Sequence, residues 1–145
     1  MIGPLHPAYV AGIVDGEGCI GILRTRAKDH RSGWKYQLQI CVVMREKWLM
    51  EALQRQYGGS VWAGERRQPQ YAPVARWRIG DRKAGAFLRE CQPFLKAKRE
   101  QSMIALHFLS VRGHQHRKNA IARVIQEDCF WCARYANRRG VEKAA

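Results

Sequence analysis

Residues 7–18 constrain the fold of this chain more than any other segment. Pro7 is favoured in the first turn of a helix, and the apolar run after it predicts a helix that ends at the glycine-rich residues 15–18. Asp15 and Glu17 then lie at the C-terminal end of the helix, where a carboxylate opposes the helix dipole at a cost of ~0.3 to 1 kcal/mol. The two acids are either ordinary solvated carboxylates or functional groups, and the rest of the sequence favours a function.

Three small residues lie on one face of this predicted helix. Ala8, Gly12 and Gly16 follow one another at intervals of four residues. A glycine inside a helix costs about 1 kcal/mol relative to alanine, so both glycines require an explanation. Small residues at this spacing permit the close approach of a second helix, and we expect a helix–helix interface here. The alternative is a buried helix packed on its own sheet.

Alternating polar and apolar residues predict two pairs of strands. In residues 34–44 every second residue from Leu38 onward is apolar, and in residues 73–80 arginines alternate with apolar side chains. This period of two is typical of strands with one face on a core. Residues 19–28 and 60–67 predict the strands that pair with them.

Helices are predicted between and after the strand pairs. The first of them ends at Gly58 and turns four residues inward: Trp48, Leu49, Ala52 and Leu53. A short helix runs to about Cys91, a longer one follows Pro93, and a last one covers about 116–136. The order αββαββα predicts an α+β fold with one curved antiparallel sheet. We expect a single domain over residues 1–145, with a C-terminal helical extension from about residue 112.

The chain carries a large positive charge. Its 26 Lys and Arg residues outnumber 12 Asp and Glu residues, which gives a net charge of +14 at pH 7 and a pI near 10.2. All of these Lys and Arg residues lie at or beyond Arg24. Contacts of Lys and Arg with phosphates dominate the affinity of proteins for nucleic acids, so the charge predicts a polyanionic partner, DNA or RNA.

The polar face of the predicted sheet is basic and rich in amides. Gln can pair bidentately with adenine and a β-ribbon fits the major groove, so the sheet is expected to form a saddle for a DNA duplex; the alternative is a merely solvated face. The first strand is ambiguous, because Arg24 and Arg26 share the parity of apolar Ile20: either the strand runs past the core or a bulge redirects it. The candidate DNA-binding residues are Arg24, Thr25, Arg26, Lys35, Gln37, Gln39, Arg45, Arg66, Arg67, Arg76 and Arg78.

The composition excludes several classes of protein. Hydrophobic residues make up 46% of the chain, which is enough for a core and argues against a disordered tail. No apolar stretch approaches the ~20 residues of a membrane helix, and the N-terminus lacks the basic region of a signal peptide. The odd number of five cysteines favours free thiols over a secreted disulfide framework. We therefore expect an intracellular protein, in the cytoplasm, the nucleoid or an organelle.

Residues 10–18, VAGIVDGEG, resemble the LAGLIDADG motif of homing endonucleases. Two further segments are similar to the same family. Residues 92–98, QPFLKAK, resemble the segment with its active-site lysine, and residues 58–61, GGSV, resemble its usual exit from the second helix. The motif precedes a strand in the αββαββ order of that family, and the resemblance covers roughly residues 8–110.

The resemblance implies a metal-dependent DNA endonuclease of the intron-encoded homing type, which cleaves both strands of a specific double-stranded site. Glu17 occupies the position of the family's metal-binding acid, where Asp is more common, and the Gly16 carbonyl is a second ligand; both supply the hard oxygen that Mg²⁺ prefers. Asp15 is then mainly structural. Lys98 stabilises developing charge or positions water.

The chain contains one copy of the motif, which implies a homodimer and a pseudo-palindromic target. Two motif helices then pack together through the small residues Ala8, Gly12 and Gly16, and each delivers one acid to the centre of the DNA. The sequence departs from the family pattern at Met44, where many members have a Gln near the active site. Met44 cannot orient water by a hydrogen bond, so either Arg45 takes that role or catalysis is weaker.

Two alternatives remain open. A Cys₂His₂ zinc site would mark a non-catalytic DNA- or RNA-binding protein, and the ligand types are present at His114, His116, Cys129 and Cys132. The order of ligands is reversed from the usual finger and the cysteines fall within a predicted helix, so zinc is not expected. The second alternative keeps the fold but assists intron splicing as a maturase, with RNA as the partner. Metal-dependent cleavage of duplex DNA separates the endonuclease from both.

Overall fold

The computed structural model describes residues 2–30, 32–112 and 120–144. The predicted αββαββα order is confirmed, and two further helices follow it. The elements are α1 Pro7–Glu17, β1 Gly18–Arg26, β2 Trp34–Met44, α2 Lys47–Tyr57, β3 Ser60–Glu65, β4 Val74–Gly80, α3 Asp81–Cys91, α4 Arg99–Arg112 and α5 Ala120–Ala144. A 3-10 turn at Gln92–Phe94 follows α3. The α+β class predicted from the sequence is therefore confirmed.

The four strands form one antiparallel sheet in the order β1-β2-β4-β3. β1 and β2 pair over their full length without a shift of register. The pairing of β3 with β4 shifts between Ala63 and Glu65, at Gly64, whose φ of 87° lies in the left-handed region that favours glycine. The register is thus regular between β1 and β2 and between β2 and β4, and it shifts only between β3 and β4.

Burial along β2 and β4 follows the predicted alternation. Leu38, Ile40 and Val42 are fully buried, whereas Lys35 and Gln37 on the other face of β2 are exposed. β4 shows the same pattern, with its buried positions two residues apart. The buried face of the sheet and the inner faces of the helices form one hydrophobic core.

Aromatic packing joins α2, β4 and α3 in the core. The Trp77 and Phe87 ring centroids are 5.4 Å apart, and Tyr57 meets Phe87 edge-on at 4.8 Å. The Trp77 indole N–H donates to the Gly58 carbonyl at 2.9 Å. Gly58 ends α2 as predicted, with a φ of 81°. A hydrogen bond therefore joins the C-terminal end of α2 to β4, an inner strand of the sheet.

The predicted inward position of Trp48 is wrong. Trp48 is 47% exposed, and α2 buries Met50 beside the expected Leu49 and Leu53. Consecutive residues lie about 100° apart around a helix, so a helix that turns Leu49 and Leu53 to the core carries Trp48 to its edge. The sequence pattern defines the apolar side of α2 but not its rotation on the sheet.

Helix α5 packs against α4 and the edge strand β1. The Asn137 amide donates to the Ile20 carbonyl at 3.1 Å, and the rings of Phe130 and Tyr36 lie 5.7 Å apart. The C-terminal helix thus packs at the β1 edge of the sheet and adds Phe130 to the hydrophobic core. Within the described ranges, no helix has the length and apolar character that a membrane-spanning segment requires.

Candidate catalytic site and nucleic-acid interface

Glu17 is the last residue of α1, at its junction with β1. The junction is tight, because the Gly18 N–H donates to the Val14 carbonyl and a Cβ on Gly18 would lie 2.7 Å from that oxygen. Only glycine fits there. The Glu17 side chain is exposed, and within the described ranges it has no hydrogen-bond or ion-pair partner. Its carboxylate is therefore available to a cation.

Asp15 and Lys98 are 83 residues apart in the chain and in contact in space. The Asp15 carboxylate accepts hydrogen bonds from the backbone N–H of Lys96 at 2.8 Å and of Lys98 at 3.0 Å. The Lys98 ammonium donates to the Asp15 carbonyl at 2.6 Å, where the C-terminal end of α1 carries the negative end of its dipole. Asp15 thereby holds the segment before α4 against α1, and Lys98 lies at the same helix end as Glu17.

The small residues of α1 form an exposed stripe. Ala8, Gly12 and Gly16 are exposed, and a Cβ on Gly12 or Gly16 would meet no atom within 4 Å. The opposite side of the helix is buried at Val10 and Val14. The alternative that the glycines serve the packing of α1 on its own sheet is therefore wrong, because α1 uses its other side for that contact.

The sheet face away from the core, here called the open face, combines basic and amide side chains. The guanidinium of Arg78 lies over the ring of Trp62 at 5.0 Å, and its Nε is buried with no hydrogen-bond partner among the described residues. Trp62 is absent from the predicted set, although its pairing with Arg76 places it on this face. The open face carries Thr25, Lys35, Gln37, Gln39, Trp62, Arg76 and Arg78.

The placement of Arg24 and Arg26 on this face is wrong. β1 pairs with β2 without a bulge, so both arginines keep the parity of the core residues and lie on the helix side of the sheet. The Arg24 guanidinium contacts three rings, Trp34 at 4.3 Å, Phe130 at 4.8 Å and Trp131 at 5.2 Å. The strand runs past the core, and cation–π contacts cover the charge. Arg24 thus connects β1 to α5.

The other predicted site residues lie around the open face. Arg66 and Arg67 are exposed in the loop between β3 and β4, and Arg45 is exposed after β2. Met44 is half-buried and packs against the core. Its side chain is therefore a core group, and Arg45 is the first exposed residue after β2.

The two cysteines of the zinc alternative are neighbours on α5, three residues apart, but differ in exposure. Cys129 is buried and Cys132 is exposed, and both are free thiols. Burial raises the pKa of Cys129 to about 11, so its thiol is protonated at neutral pH. His114 and His116 lie outside the described residues. Within the described part of the chain, no group of three or more His, Cys, Asp or Glu residues could hold a metal ion.

Residues 10–86 match the family of LAGLIDADG endonucleases. This match covers more than half of the chain, includes most of the motif helix and spans all four strands. The chain therefore belongs to the LAGLIDADG endonuclease family. No curated protein sequence matches it significantly.

Solved structures of homing endonucleases share the fold. I-TnaI is 20% identical with a TM-score of 0.72, over 97% of this chain and 99% of its own. The archaeal intron-encoded I-Vdi141I, complexed with DNA, is 13% identical with a TM-score of 0.76, over 90% of this chain and 82% of its own. I-CvuI, in complex with its target, is 16% identical with a TM-score of 0.68, over 91% of this chain and 90% of its own.

Proposed function

We propose that this chain is a site-specific endonuclease that cleaves both strands of double-stranded DNA with a divalent metal, Mg²⁺. The observation that carries the proposal is the arrangement at the end of α1. There an exposed Glu17 carboxylate lies at the same helix end as the Lys98 ammonium, which Asp15 holds in place. Hydrolysis of a phosphodiester needs an activated water and stabilisation of charge at phosphorus, and these residue types suit that chemistry.

The donors at this end of α1 fit a hard cation. Glu17 offers carboxylate oxygens and Gly16 a main-chain carbonyl, both on exposed residues, and Mg²⁺ prefers a few protein oxygens with several waters. The metal would supply an activated water and charge neutralisation at the phosphate. Lys98 would place a fixed positive charge where negative charge develops. A single carboxylate is a sparse ligand set, so a second one from another protomer is part of the proposal.

The active form is proposed to be a homodimer formed through α1. The exposed stripe of Ala8, Gly12 and Gly16 supports this, because small residues four apart let two helix backbones approach closely. Crossing at this stripe would bring the two Glu17 residues to one place. A twofold assembly would read a pseudo-palindromic target.

The open face is proposed to bind the DNA. Its arginines and amides point away from the core, and residues of these types read base edges in the major groove. Related structures contain DNA: I-CvuI is in complex with target in the presence of 2 mM Ca or 2 mM Mg, and I-Vdi141I is complexed with DNA. Together with family membership, these complexes support DNA and a divalent metal as partners of this chain.

Incubation with a randomised duplex library tests the proposal. With Mg²⁺ we expect cuts in both strands at one pseudo-palindromic sequence, and with EDTA we expect none. Sequencing of the fragment ends gives the target and the positions of the cuts. A protein that selects a sequence but never cuts it would instead be the non-catalytic binder or the maturase.

Glu17→Gln tests the metal site directly. The change removes the charge and nearly preserves the shape, so cleavage should fall ~100-fold or more. Binding should be retained or become tighter, because one negative charge near the phosphates is lost. Glu51→Gln is the matched control, since it removes a partly exposed carboxylate that pairs with Lys47 on α2. If Glu17→Gln cuts at the parental rate while folded and bound, the metal-site assignment fails.

A further inference from the structure

Asp81 contacts Gln37 from beside the open face. One carboxylate oxygen of Asp81 pairs with the Arg112 guanidinium, and the other accepts a hydrogen bond from the Gln37 amide nitrogen at 3.3 Å. Asp81 is the first residue of α3, so it comes to Gln37 from a different element. The contact joins residues 44 positions apart in the chain.

The backbone at Asp81 is held in an unusual conformation. Its φ of 50° is the only positive φ of a non-glycine residue within the described ranges. Left-handed backbone is unfavourable for side chains other than glycine, although Asp and Asn tolerate it best. Such a conformation persists where the surrounding contacts outweigh its cost. Here those contacts are the ion pair with Arg112 and the hydrogen bond from Gln37.

The residue before Asp81 leaves space for this contact. A Cβ on Gly80 would lie 3.0 Å from the Leu38 carbonyl and 3.7 Å from the Gln37 amide nitrogen. The side chains of Asp81 and Arg112 are only 30% and 20% exposed, whereas Gln37 is exposed on the open face. The ion pair is thus the half-buried part of the network, and Gln37 is its exposed end.

The chemistry of the contact determines the orientation of the Gln37 amide. A carboxylate only accepts hydrogen bonds, so the NH₂ group of Gln37 must face Asp81 and the amide oxygen must face away. Arg112 keeps the carboxylate in place by charge. Gln39 lies two residues along the same strand face and has no hydrogen-bond partner within the described ranges, so its amide is not oriented in this way.

We infer that Asp81 is a positioning residue for sequence recognition: it orients Gln37 so that the amide oxygen selects a base with an exocyclic amino group. In the major groove adenine and cytosine present an amino donor, whereas guanine presents two acceptors that would face the oxygen. The second N–H of Gln37 can still reach adenine N7. This inference rests on the proposed binding of DNA to the open face.

Selection of bound duplexes from a randomised library in EDTA tests the inference with the full-length chain. The parent should show one position in each half-site with ~10-fold preference for adenine or cytosine over guanine. Gln37→Ala should abolish that preference. Asp81→Asn should reduce it to less than ~3-fold, because asparagine accepts the left-handed backbone but lets the Gln37 amide turn. Preferences at all other positions should remain.

The combined variant separates positioning from a general loss of structure. Asp81→Asn added to Gln37→Ala should change nothing further at that position, because the residue through which Asp81 acts is absent. Glu51→Gln, which breaks an ion pair on α2, should leave the whole profile unchanged. A parent that selects no sequence overturns both the proposed function and the inference. A selective parent whose preference survives Asp81→Asn overturns only the role of Asp81.

A measurement on the parent protein tests the inference even if the Asp81 variant fails to fold. One side-chain amide proton of Gln37 should exchange with solvent more slowly than those of Gln39, although Gln39 is the more buried of the two. Exchange at equal or faster rates would contradict the hydrogen bond to Asp81. Asp81→Gly, which also accepts a φ of 50°, serves as the second variant in the selection and should show the same relaxed position.

Discussion

Asp15 shows how one side chain of the motif acts through the backbone of a distant segment. Its carboxylate accepts two backbone N–H groups, from Lys96 and Lys98, while its carbonyl accepts from the Lys98 ammonium. Glu17, two residues later, makes no such contact within the described ranges. Two acids of one short motif therefore have different environments, and these environments separate a structural role from a proposed chemical one.

Asp15→Asn should lower the free energy of unfolding more than it lowers the rate of DNA cleavage. The asparagine oxygen can replace only part of the carboxylate's acceptor capacity, so one backbone N–H loses its partner, at a cost of ~1 kcal/mol after allowance for partial exposure. Urea unfolding measures the stability, and cleavage of the selected target measures the chemistry. Unchanged stability together with abolished cleavage would show that Asp15 acts chemically.

At the scale of the element, α1 has two unlike sides. Val10 and Val14 pack into the core, whereas Gly12 and Gly16 are exposed. Neither glycine is required by the fold of one chain, because a Cβ at either position would meet no atom within 4 Å. Their cost in helix stability is instead consistent with the proposed contact to a second chain.

Gly12→Leu should convert a dimer into a folded monomer. A Cβ added at this exposed position meets no atom of its own chain within 4 Å, so we expect folding to be retained, but the leucine occupies the space where a second helix backbone would lie. Sedimentation at micromolar concentration measures the assembly. Gly3→Leu is the control, since Gly3 is equally open but lies outside α1. If parent and variant are both monomeric, the interface is misassigned.

The sheet is the second element with a proposed binding role. Arg76 and Arg78 lie on the open face of β4, half-buried, with Arg78 stacked on Trp62. Their limited freedom suits recognition of defined bases better than diffuse attraction.

Replacement of both Arg76 and Arg78 by alanine should remove preferences at defined base positions. Alanine at both Arg55 and Arg89, which are exposed on α2 and α3, should lower the affinity for all DNA sequences alike and leave the base preferences intact. Sequencing of bound duplexes compares the two profiles. An unchanged profile for the Arg76 and Arg78 variant would remove the open face from the proposed interface.

At the scale of the whole molecule, the net charge of +14 acts beyond any single contact. A field of this size attracts a polyanion from a distance and raises the rate of association. The field does not select a DNA sequence. Selection depends on the side chains of the open face. Affinity and specificity are thus expected to respond to different changes.

Salt dependence measures the contribution of charge. The logarithm of the association constant should fall linearly with the logarithm of salt concentration, with a slope of about −0.9 for each phosphate neutralised. Six to ten phosphate contacts would weaken binding by ~10³ to 10⁵ between 50 and 200 mM salt. A slope near zero in filter-binding or anisotropy titrations would be incompatible with a phosphate-dominated interface.

The sequence by itself determined the order of elements, the two faces of β2 and β4, the ends of α1 and α2, and the motif that carries Glu17. These features depend on neighbours close in the chain: a period of two in strands, a glycine where the backbone must turn, and a small residue every fourth position. Two helices departed from the sequence pattern: α2, whose rotation on the sheet turned Trp48 outward, and α5, which continues to Ala144 instead of ending at about residue 136.

Only the tertiary structure decided the contacts between distant segments. It placed Arg24 under α5, brought Lys98 to the end of α1, and set Asp81 against Gln37. The alternation of residues in β1 did not decide whether the strand runs past the core. That depends on the rings of Phe130 and Trp131 on α5, which cover the Arg24 guanidinium. Side chains that meet across 44 to 83 residues of chain leave no periodic trace in either segment, so packing alone determines them.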